Sequence, residues 1–335
     1  MRRLVRLKSR IALLCVLMLG VWALAGCGAD DSNINAKEYE GYIAAISKGT
    51  EHEFWRTMEK GLMDAGEELN YKVTFEAPKD ETDIDVQISL VENAINSHAD
   101  AIVLAPLDTE KLNAVVDEAV NKGIPVVTVD SDITTDSRAA TVGTDNEIAG
   151  AIAARHMAEK INSSGKVAVV SHVEGAQTAI TRNNGFVNEV DKNYSNMIVV
   201  DLVYSGGETE VAYEQTKELV SRYPDLKGIY ATNEGAANGV AKAIAELNLM
   251  DKITIIGFDS SESENQYLID GVIDGMMVQN PYNMGYLAVR NIVKFLNGKN
   301  IEKNINTGAT YVSIDNFYDE DTQWLLYPLG KEQGD

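Results

Sequence analysis

The sequence predicts an α/β protein of two doubly wound parallel-sheet lobes joined by a multi-strand hinge. Short β-branched runs alternate with amphipathic helices, the alternation restarts after residue 145, and no Pro-rich or Ser-rich linker separates the halves. Alternating strands and helices with short connections are typical of parallel sheets covered on both faces. Two lobes joined by several short crossings are therefore expected, rather than two independent modules.

The first half begins with three strand–helix units. Each helix is predicted from apolar residues recurring every three or four positions, as in the series Ile84, Ile88, Val91 and Ile95. The apolar run at 125–129 predicts a strand buried on both faces. A short strand at 139–144 follows it. The other predicted elements are strands at 42–47, 72–75 and 101–104 and helices at 55–69, 84–95 and 112–119.

The second half repeats the pattern after Asp145 and Asn146, which are predicted to form a helix N-cap and a lobe crossing. Its strands are predicted at 166–171, 197–203, 228–231, 253–258 and 275–278, with helices at 148–161, 178–190, 211–220, 236–247 and 264–270. The chain then returns through Asn280 and Pro281 to a helix at 284–296, and a last hinge strand is expected at 310–314. The predicted lobes are 38–144 with 281–309, and 145–280 with 310–335, which includes the tail.

Residues 1–26 are predicted to be an export signal. A basic stretch precedes a nearly continuous apolar run at 11–19, and small residues then precede Cys27. This ending resembles the bacterial lipobox, in which the cysteine is lipidated, and residues 27–37 have the polar composition of a tether. An ordinary cleaved signal with an incidental Cys27 is the alternative. The lipobox interpretation predicts an extracytoplasmic lipoprotein attached to the membrane through its lipid only.

Composition excludes several functions. The net charge of −22 disfavours binding to nucleic acid or to anionic membrane surfaces. No cysteine follows Cys27, and the four histidines do not have metal-ligand spacing, so neither a disulfide framework nor a metal site is predicted. Nucleophile-elbow, phosphate-loop and dinucleotide-binding motifs are not found, so neither catalysis nor a cofactor is expected.

Polar residues follow predicted strands at three places. Asp130, Asn233 and Asp259 each come at the end of an apolar run. In open α/β sheets, ligands bind at the carboxyl ends of the strands. The three side chains are therefore expected to face one crevice between the lobes.

Several landmarks together resemble the periplasmic sugar-binding proteins of the ribose and galactose type, the solute receptors of ABC importers. The similarity extends over nearly all of the chain after the signal. The landmarks are Phe54-Trp55, Ala105-Pro106, the segment 125–130, Gly143-Thr-Asp-Asn146, Arg182-Asn-Asn-Gly185-Phe186, Ala231-Thr-Asn233-Glu234, Gly257-Phe-Asp259 and Gln279. The resemblance implies the type I periplasmic-binding-protein fold, in which two lobes close on a ligand by a hinge motion.

The resemblance also implies a set of ligand-binding residues whose chemistry suits a sugar. Carboxylates accept hydroxyl protons, an arginine donates in a fork, amides do both, and aromatic rings offer apolar faces to the sugar ring. The predicted residues are Phe54, Trp55, Asp130, Arg182, Asn233, Asp259 and Gln279. Further candidates are Ser47, His52, Thr144 and Tyr204.

Each assignment has a structural alternative. Phe54 or Trp55 could belong to the core, Arg182 could pair with a surface carboxylate, and the aspartates or Asn233 could cap helices or begin turns. Ser131 and Ala105 stand where ribose-type receptors carry an arginine and an amide, so ribose itself is not expected, and another sugar or a small polyol-like signal is left open.

The predicted function is capture of a sugar-like ligand by a monomeric receptor and its delivery to an ABC permease. The alternative is a sensory receptor that signals to a membrane histidine kinase or chemoreceptor, because the binding fold would be the same. A repressor of the lactose type is excluded, since the N-terminus is a signal and not a basic helix-turn-helix.

Overall fold

Two six-stranded sheets organise residues 38–328, the part of the chain that this computed structural model describes. The predicted signal, Cys27 and the tether lie outside the described residues, as do residues 329–335 at the end of the tail. The strands are β1 (Gly41–Ile46), β2 (Tyr71–Glu76), β3 (Ala101–Leu104), β4 (Val126–Val129), β5 (Ala140–Gly143), β6 (Ser164–Ser171), β7 (Asn196–Tyr204), β8 (Leu226–Ala231), β9 (Thr254–Phe258), β10 (Gly275–Gln279), β11 (Asn304–Asn306) and β12 (Ala309–Val312).

Both sheets have the strand order of a doubly wound fold. The first runs β11–β5–β4–β3–β1–β2 and is parallel throughout, and the second runs β12–β10–β9–β8–β6–β7 with only β12 antiparallel. Each sheet belongs to one lobe. The predicted fold class is confirmed.

Helices cover both faces of each sheet. They are α1 (Glu53–Glu68), α2 (Ile84–Asn96), α3 (Asn113–Asn121), α4 (Asn146–Lys160), α5 (Gln177–Asn193), α6 (Thr209–Arg222), α7 (Glu234–Glu246), α8 (Glu262–Ile269), α9 (Pro281–Leu296) and α10 (Glu320–Leu326). Successive strand residues enter different apolar layers. Ile43 and Ala45 pack with α1 and α9, whereas Ala44 and Ile46 pack with α2 and α3.

Three short segments cross between the lobes, namely β5 to α4, β10 to α9, and β11 to β12. They are tied together by hydrogen bonds. Thr144 Oγ1 donates to the Gly308 carbonyl at 3.2 Å, the Asp145 amide to Asn306 Oδ1 at 3.2 Å, and the Thr307 amide to the Gly143 carbonyl at 2.8 Å. Neighbouring strands at a hinge can then bend together.

The tail is the region that the sequence predicts least well. The polar segment Asn304–Asn306 forms β11 on the edge of the first sheet, and α10 lies within the aromatic tail. Phe317 and Leu326 bury the tail against the second lobe. No helix of the described range 38–328 is both long enough and apolar enough to span a membrane.

Candidate functional site

The carboxyl ends of the two sheets enclose a cleft between the lobes. All seven residues predicted from the family resemblance line it, together with His52. The space among the lining side chains, open solvent included, is about 310 Å³. The lining residues are Lys48, His52, Phe54, Trp55, Glu81, Asp130, His172, Thr178, Arg182, Asn233, Glu234, Asp259 and Gln279.

Asp130 and Asp259 occupy equivalent places in the two lobes. Asp130 follows β4 and Asp259 follows β9, and their backbone φ angles are 62° and 82°. Each amide donates to the neighbouring strand, to the Val142 carbonyl and the Met277 carbonyl respectively, both at 2.9 Å. Aspartate tolerates this left-handed conformation better than most residues, and such strain is concentrated at functional sites. The turn directs each carboxylate into the cleft.

Asp130 is held by a buried lysine that sequence reasoning missed. Lys48 Nζ lies 2.7 Å from Asp130 Oδ2 and 2.5 Å from Ser131 Oγ, and it reaches Thr178 Oγ1 of the second lobe at 3.3 Å. Lys48 is only 2% exposed. Oδ2 of Asp130 is thus engaged by the protein, so Oδ1 is the oxygen left for ligand hydroxyls. Lys48 also follows a strand end, and the rule that found Asp130 could have found it.

His52 and Trp55 share Glu81, which the sequence analysis did not single out. Glu81 Oε1 accepts from Trp55 Nε1 at 2.6 Å and from His52 Nδ1 at 3.1 Å. Burial opposes the charged form of His52, but the hydrogen bond and the charge of Glu81, with help from Glu234 and Asp259, raise its pKa to about 9. Burial would raise the pKa of Glu81, but the hydrogen bond and the charge of His52, with help from Trp55 and Lys48, outweigh burial and lower that pKa. The indole N–H is thereby satisfied, which leaves the ring face of Trp55 to contact a ligand.

Arg182 is fixed by contacts on three sides. Nη1 donates to the Thr232 carbonyl at 2.7 Å and Nε to Asn146 Oδ1 at 2.8 Å, while the guanidinium carbon lies 3.6 Å from the Phe258 ring centroid. It lies inside α5, and within the described part of the chain it pairs with no surface carboxylate. The guanidinium has further N–H groups beyond these two, which can donate to a ligand. Asp145 caps α4 as predicted, and Asn146 positions the arginine.

Asp259, Gln279 and Asn233 form the wall contributed by the second lobe. Asp259 Oδ1 accepts from Gln279 Nε2 at 2.6 Å, and Oδ2 accepts from the Glu234 amide at 3.1 Å. Burial raises the pKa of Asp259 against the opposing effects of Arg182 and Gln279. Gln279 Oε1 is buried and has no hydrogen-bond partner among residues 38–328, so it is available to a ligand hydroxyl. Asn233 Oδ1 caps α7, which is the alternative role given for it in the sequence analysis, and the residue also lines the cleft.

Three further candidates lie away from the cleft lining. Ser47 Oγ donates to the Gly49 carbonyl at 2.7 Å within its own turn. Thr144 is bonded within the hinge, and Tyr204 packs against the small apolar cluster of Val173, Ala176 and Ala179. Ser47 and Thr144 directly follow strands and Tyr204 ends β7, but local bonding or packing turns each side chain away from the cleft.

His172 and Thr178 connect the two halves of the site. His172 Nδ1 lies 2.8 Å from Thr232 Oγ1 and Nε2 lies 2.9 Å from Thr178 Oγ1, and Thr178 contacts Lys48 across the cleft. Burial, followed by the charges of Arg182, Lys48 and His52, lowers the pKa of His172 well below its ordinary value. A neutral imidazole can both donate and accept between the two hydroxyls.

The site therefore combines carboxylates, amides, a fixed guanidinium and two aromatic side chains around one small space. Such groups match a polyhydroxylated ring, whose hydroxyls donate and accept while its C–H faces are apolar. Among residues 38–328, no group of three or more His, Cys, Asp or Glu side chains could hold a metal ion.

Comparison with known proteins identifies the class. The family model of the periplasmic binding protein domain matches residues 43–300, so the chain belongs to that family. The D-ribose/D-allose-binding protein of Pseudomonas aeruginosa is 27% identical over 268 residues, which cover 78% of this chain and 83% of that protein. The predicted membership of the periplasmic sugar-binding proteins is confirmed.

Solved structures agree with this assignment. A carbohydrate transporter solute-binding protein from Agrobacterium radiobacter, in complex with D-arabinose, has a TM-score of 0.84 and 33% identity, and the match covers 86% of this chain and 99% of that one. An ABC transporter solute-binding protein from Agrobacterium vitis with bound D-fucose has a TM-score of 0.83 and 35% identity, with 86% and 100% covered. These relatives are binding and transport proteins, which confirms the prediction of a binding protein rather than an enzyme.

Proposed function

We propose that this chain is a lipid-anchored, extracytoplasmic receptor that captures a sugar or sugar-like molecule in the cleft and delivers it to an ABC importer. The observation that carries the proposal is the convergence of the seven predicted residues, from both lobes and six strand ends or helices, on one small space. The names of the relatives support sugar import over the sensory alternative, which no observation favours.

The proposed roles follow from the contacts. Phe54 and Trp55 present apolar surface to the ring, Asp130 and Asp259 accept hydroxyl protons, and Arg182 donates. Gln279, through its unpartnered Oε1, accepts one more hydroxyl proton. The lobes, 38–144 with 281–309 and 145–280 with 310–335, are proposed to close on the ligand as two bodies of a monomer.

The engagement of Asp130 by Lys48 distinguishes this site from one with a second arginine after Asp130. A primary ammonium carries three donors on a flexible stem, whereas a guanidinium offers a rigid fork. We propose that this exchange, with Ser131 beside it, changes which ring hydroxyls are accepted and favours a sugar other than ribose.

Thermal unfolding and titration calorimetry of the whole chain against D-ribose, D-allose, D-arabinose, D-fucose, a polyol and a nucleoside test the proposal. A true ligand at 100 times its Kd adds about 2.7 kcal/mol to the free energy of unfolding. One sugar is expected to raise Tm by several degrees and to bind with 1:1 stoichiometry. Absence of a shift with all of these compounds, in protein freed of carried-over ligand by refolding, contradicts sugar capture.

A further inference from the structure

The N-terminus of α1 is capped from the opposite lobe. Its own N-cap residue, His52, makes no side-chain capping bond. Instead, Glu234 of the second lobe accepts from the Glu53 amide through Oε1 and from the Phe54 amide through Oε2, both at 3.1 Å. The first amides of a helix have no partner within the helix, and a carboxylate near them is favoured by the helix dipole. A helix-capping requirement of one lobe is therefore met by the other.

The arrangement is reciprocal. The Glu53 side chain of the first lobe accepts, through Oε1, from the Glu262 amide at 3.1 Å. Glu262 is the first residue of α8 in the second lobe, where Ser261 serves the Glu264 amide. Each of the two carboxylates thus caps the N-terminus of a helix in the opposite lobe. Each lobe supplies one carboxylate as acceptor and the backbone amides that donate to the other.

Glu234 also touches the ligand-facing groups. It is 7% exposed, and its own amide donates to Asp259 Oδ2. One of the two amides from which its side chain accepts belongs to Phe54, directly before Trp55, and both aromatic residues line the cleft. Glu234 therefore connects the Asp259 carboxylate in its own lobe, through its amide, to the Phe54 backbone in the other lobe, through its side chain.

We propose that Glu234 and Glu53 form an interlobe latch, a pair of positioning residues that hold the cleft closed and set Phe54 and Trp55 against the ligand. The inference rests on the proposed function, because it assumes that closure accompanies capture. The latch is made of two carboxylates and the amides of Glu53, Phe54 and Glu262. Opening of the lobes breaks all three hydrogen bonds together.

Hydrogen exchange with residue resolution on the full chain, without added sugar, tests the latch. In Glu234→Ala the Glu53 and Phe54 amides should exchange about tenfold faster or more, since both hydrogen bonds to the Glu234 carboxyl group are lost. The Glu262 amide should also exchange faster, although its acceptor is intact, because the lobes separate. Glu53→Ala should conversely accelerate Glu262 and Phe54. Glu234→Gln, which retains one acceptor oxygen, should recover protection at one of the two α1 amides.

Asp83→Ala is the matched control. Asp83 caps α2 by accepting from the Val86 amide at 3.2 Å within its own lobe, so its loss should affect α2 and leave residues 53, 54 and 262 protected as in the unmodified chain. If Glu234→Ala accelerates exchange at the amides of residues 53 and 54 but not at the Glu262 amide, Glu234 is only a helix cap, and the latch is overturned. Unchanged exchange at residues 53 and 54 would overturn it too.

The outcome is independent of the sugar panel, because no sugar is present in the exchange experiment. If one of the four sugars binds, Glu234→Ala should raise its Kd about tenfold, mainly through faster dissociation. An unchanged Kd with accelerated exchange would show that the contact does not position the ligand and would also overturn the proposal.

Discussion

Asp259 is the carboxylate on which the residue-scale argument depends most. Both of its oxygens accept hydrogen bonds from the protein, at the centre of the wall that the second lobe contributes. The positive charge of Arg182 acts to lower the pKa of Asp259 against the effect of burial. Asp130 is in a different situation, since Lys48 neutralises it directly. The two equivalent aspartates are thus expected to differ in what they offer a ligand.

Replacement of Asp259 by Asn should weaken sugar binding. Hydrogen bonds to a charged group contribute about 1.5–3 kcal/mol, so the Kd should rise roughly 10- to 100-fold. Titration calorimetry with whichever of the four sugars binds is the measurement. Asp225→Asn, at an exposed ion pair with Lys166, is the control and should leave the Kd unchanged. Equal affinity in Asp259→Asn would remove this residue from the proposed site.

The His52–Glu81 pair predicts a pH dependence of stability. The folded pKa of His52 is about 9 against an ordinary value of 6.5. The group therefore contributes its full stabilisation below pH 6.5 and loses it as the pH rises through 9. At most about 3 kcal/mol of the free energy of unfolding is at stake.

Urea unfolding at pH 6 and pH 9 measures this effect. The difference in free energy between the two pH values should shrink in His52→Gln. In a His98→Asn control, at an exposed histidine, it should persist. A difference that is the same in His52→Gln and in the unmodified chain would contradict the assignment of the shift to this pair.

At the scale of elements, glycines allow two pairs of helices to pack with their backbones in close contact, α4 with α5 in the second lobe and α1 with α9 in the first. A Cβ at Gly150 of α4 would lie 2.2 Å from the Arg182 carbonyl oxygen, and a Cβ at Gly185 of α5 would lie 2.1 Å from that of Glu147. Gly61 of α1 meets Tyr282 of α9 in the same way, at 2.1 Å. Close backbone approach in the second lobe is what sets the depth of Arg182 in the cleft.

Gly150→Ala should therefore push α4 and α5 apart. Overpacking of this kind costs about 1–3 kcal/mol of the free energy of unfolding, and the displacement of Arg182 should also raise the Kd for the sugar. Urea unfolding and calorimetry measure the two effects. Ile148→Ala on the same helix, at a side chain that is 56% exposed, should leave both nearly unchanged. If Gly150→Ala has the same free energy of unfolding as the unmodified chain, α4 and α5 can shift to accept the methyl group, and the prediction is wrong.

Much of the element order was predictable because periodicity is a local signal. The segment 125–129 is apolar throughout, and β4 lies there with both faces covered. By contrast, the Asn304–Asn306 strand is polar and short, and it exists because the edge of β5 is available to it. No periodicity in residues 304–306 could predict that pairing.

The site was predictable to the extent that it lies at strand ends. Asp130 and Asp259 follow directly from that rule. Glu81 and Glu234 do not, because each acquires its role from groups far along the chain, such as the Phe54 amide that Glu234 accepts from 180 residues away. Glu234 by itself is typical of an ordinary first-turn glutamate.

At the scale of the whole molecule, the proposed anchor determines where the receptor works. We expect the intact protein, produced in a bacterium with its own signal, to fractionate with membranes through a lipid on Cys27. Cys27→Ala should release it to the soluble extracytoplasmic fraction while the ligand Kd stays the same. Cell fractionation and the mass of the N-terminal peptide are the measurements. Membrane association retained in Cys27→Ala would contradict lipid anchoring.

The three crossings also have a consequence for the order in which the chain folds during synthesis. The first lobe lacks β11 and α9 until the second lobe has been made, and roughly 160 residues separate β5 from β11. At about 5–20 residues per second, the ribosome needs some 8–30 s for that stretch. During this time the apolar side of α1, with Met58 and Leu62, has no α9 to cover it. The early chain is thereby kept from completing a compact lobe, which suits the proposed export of the chain before it folds.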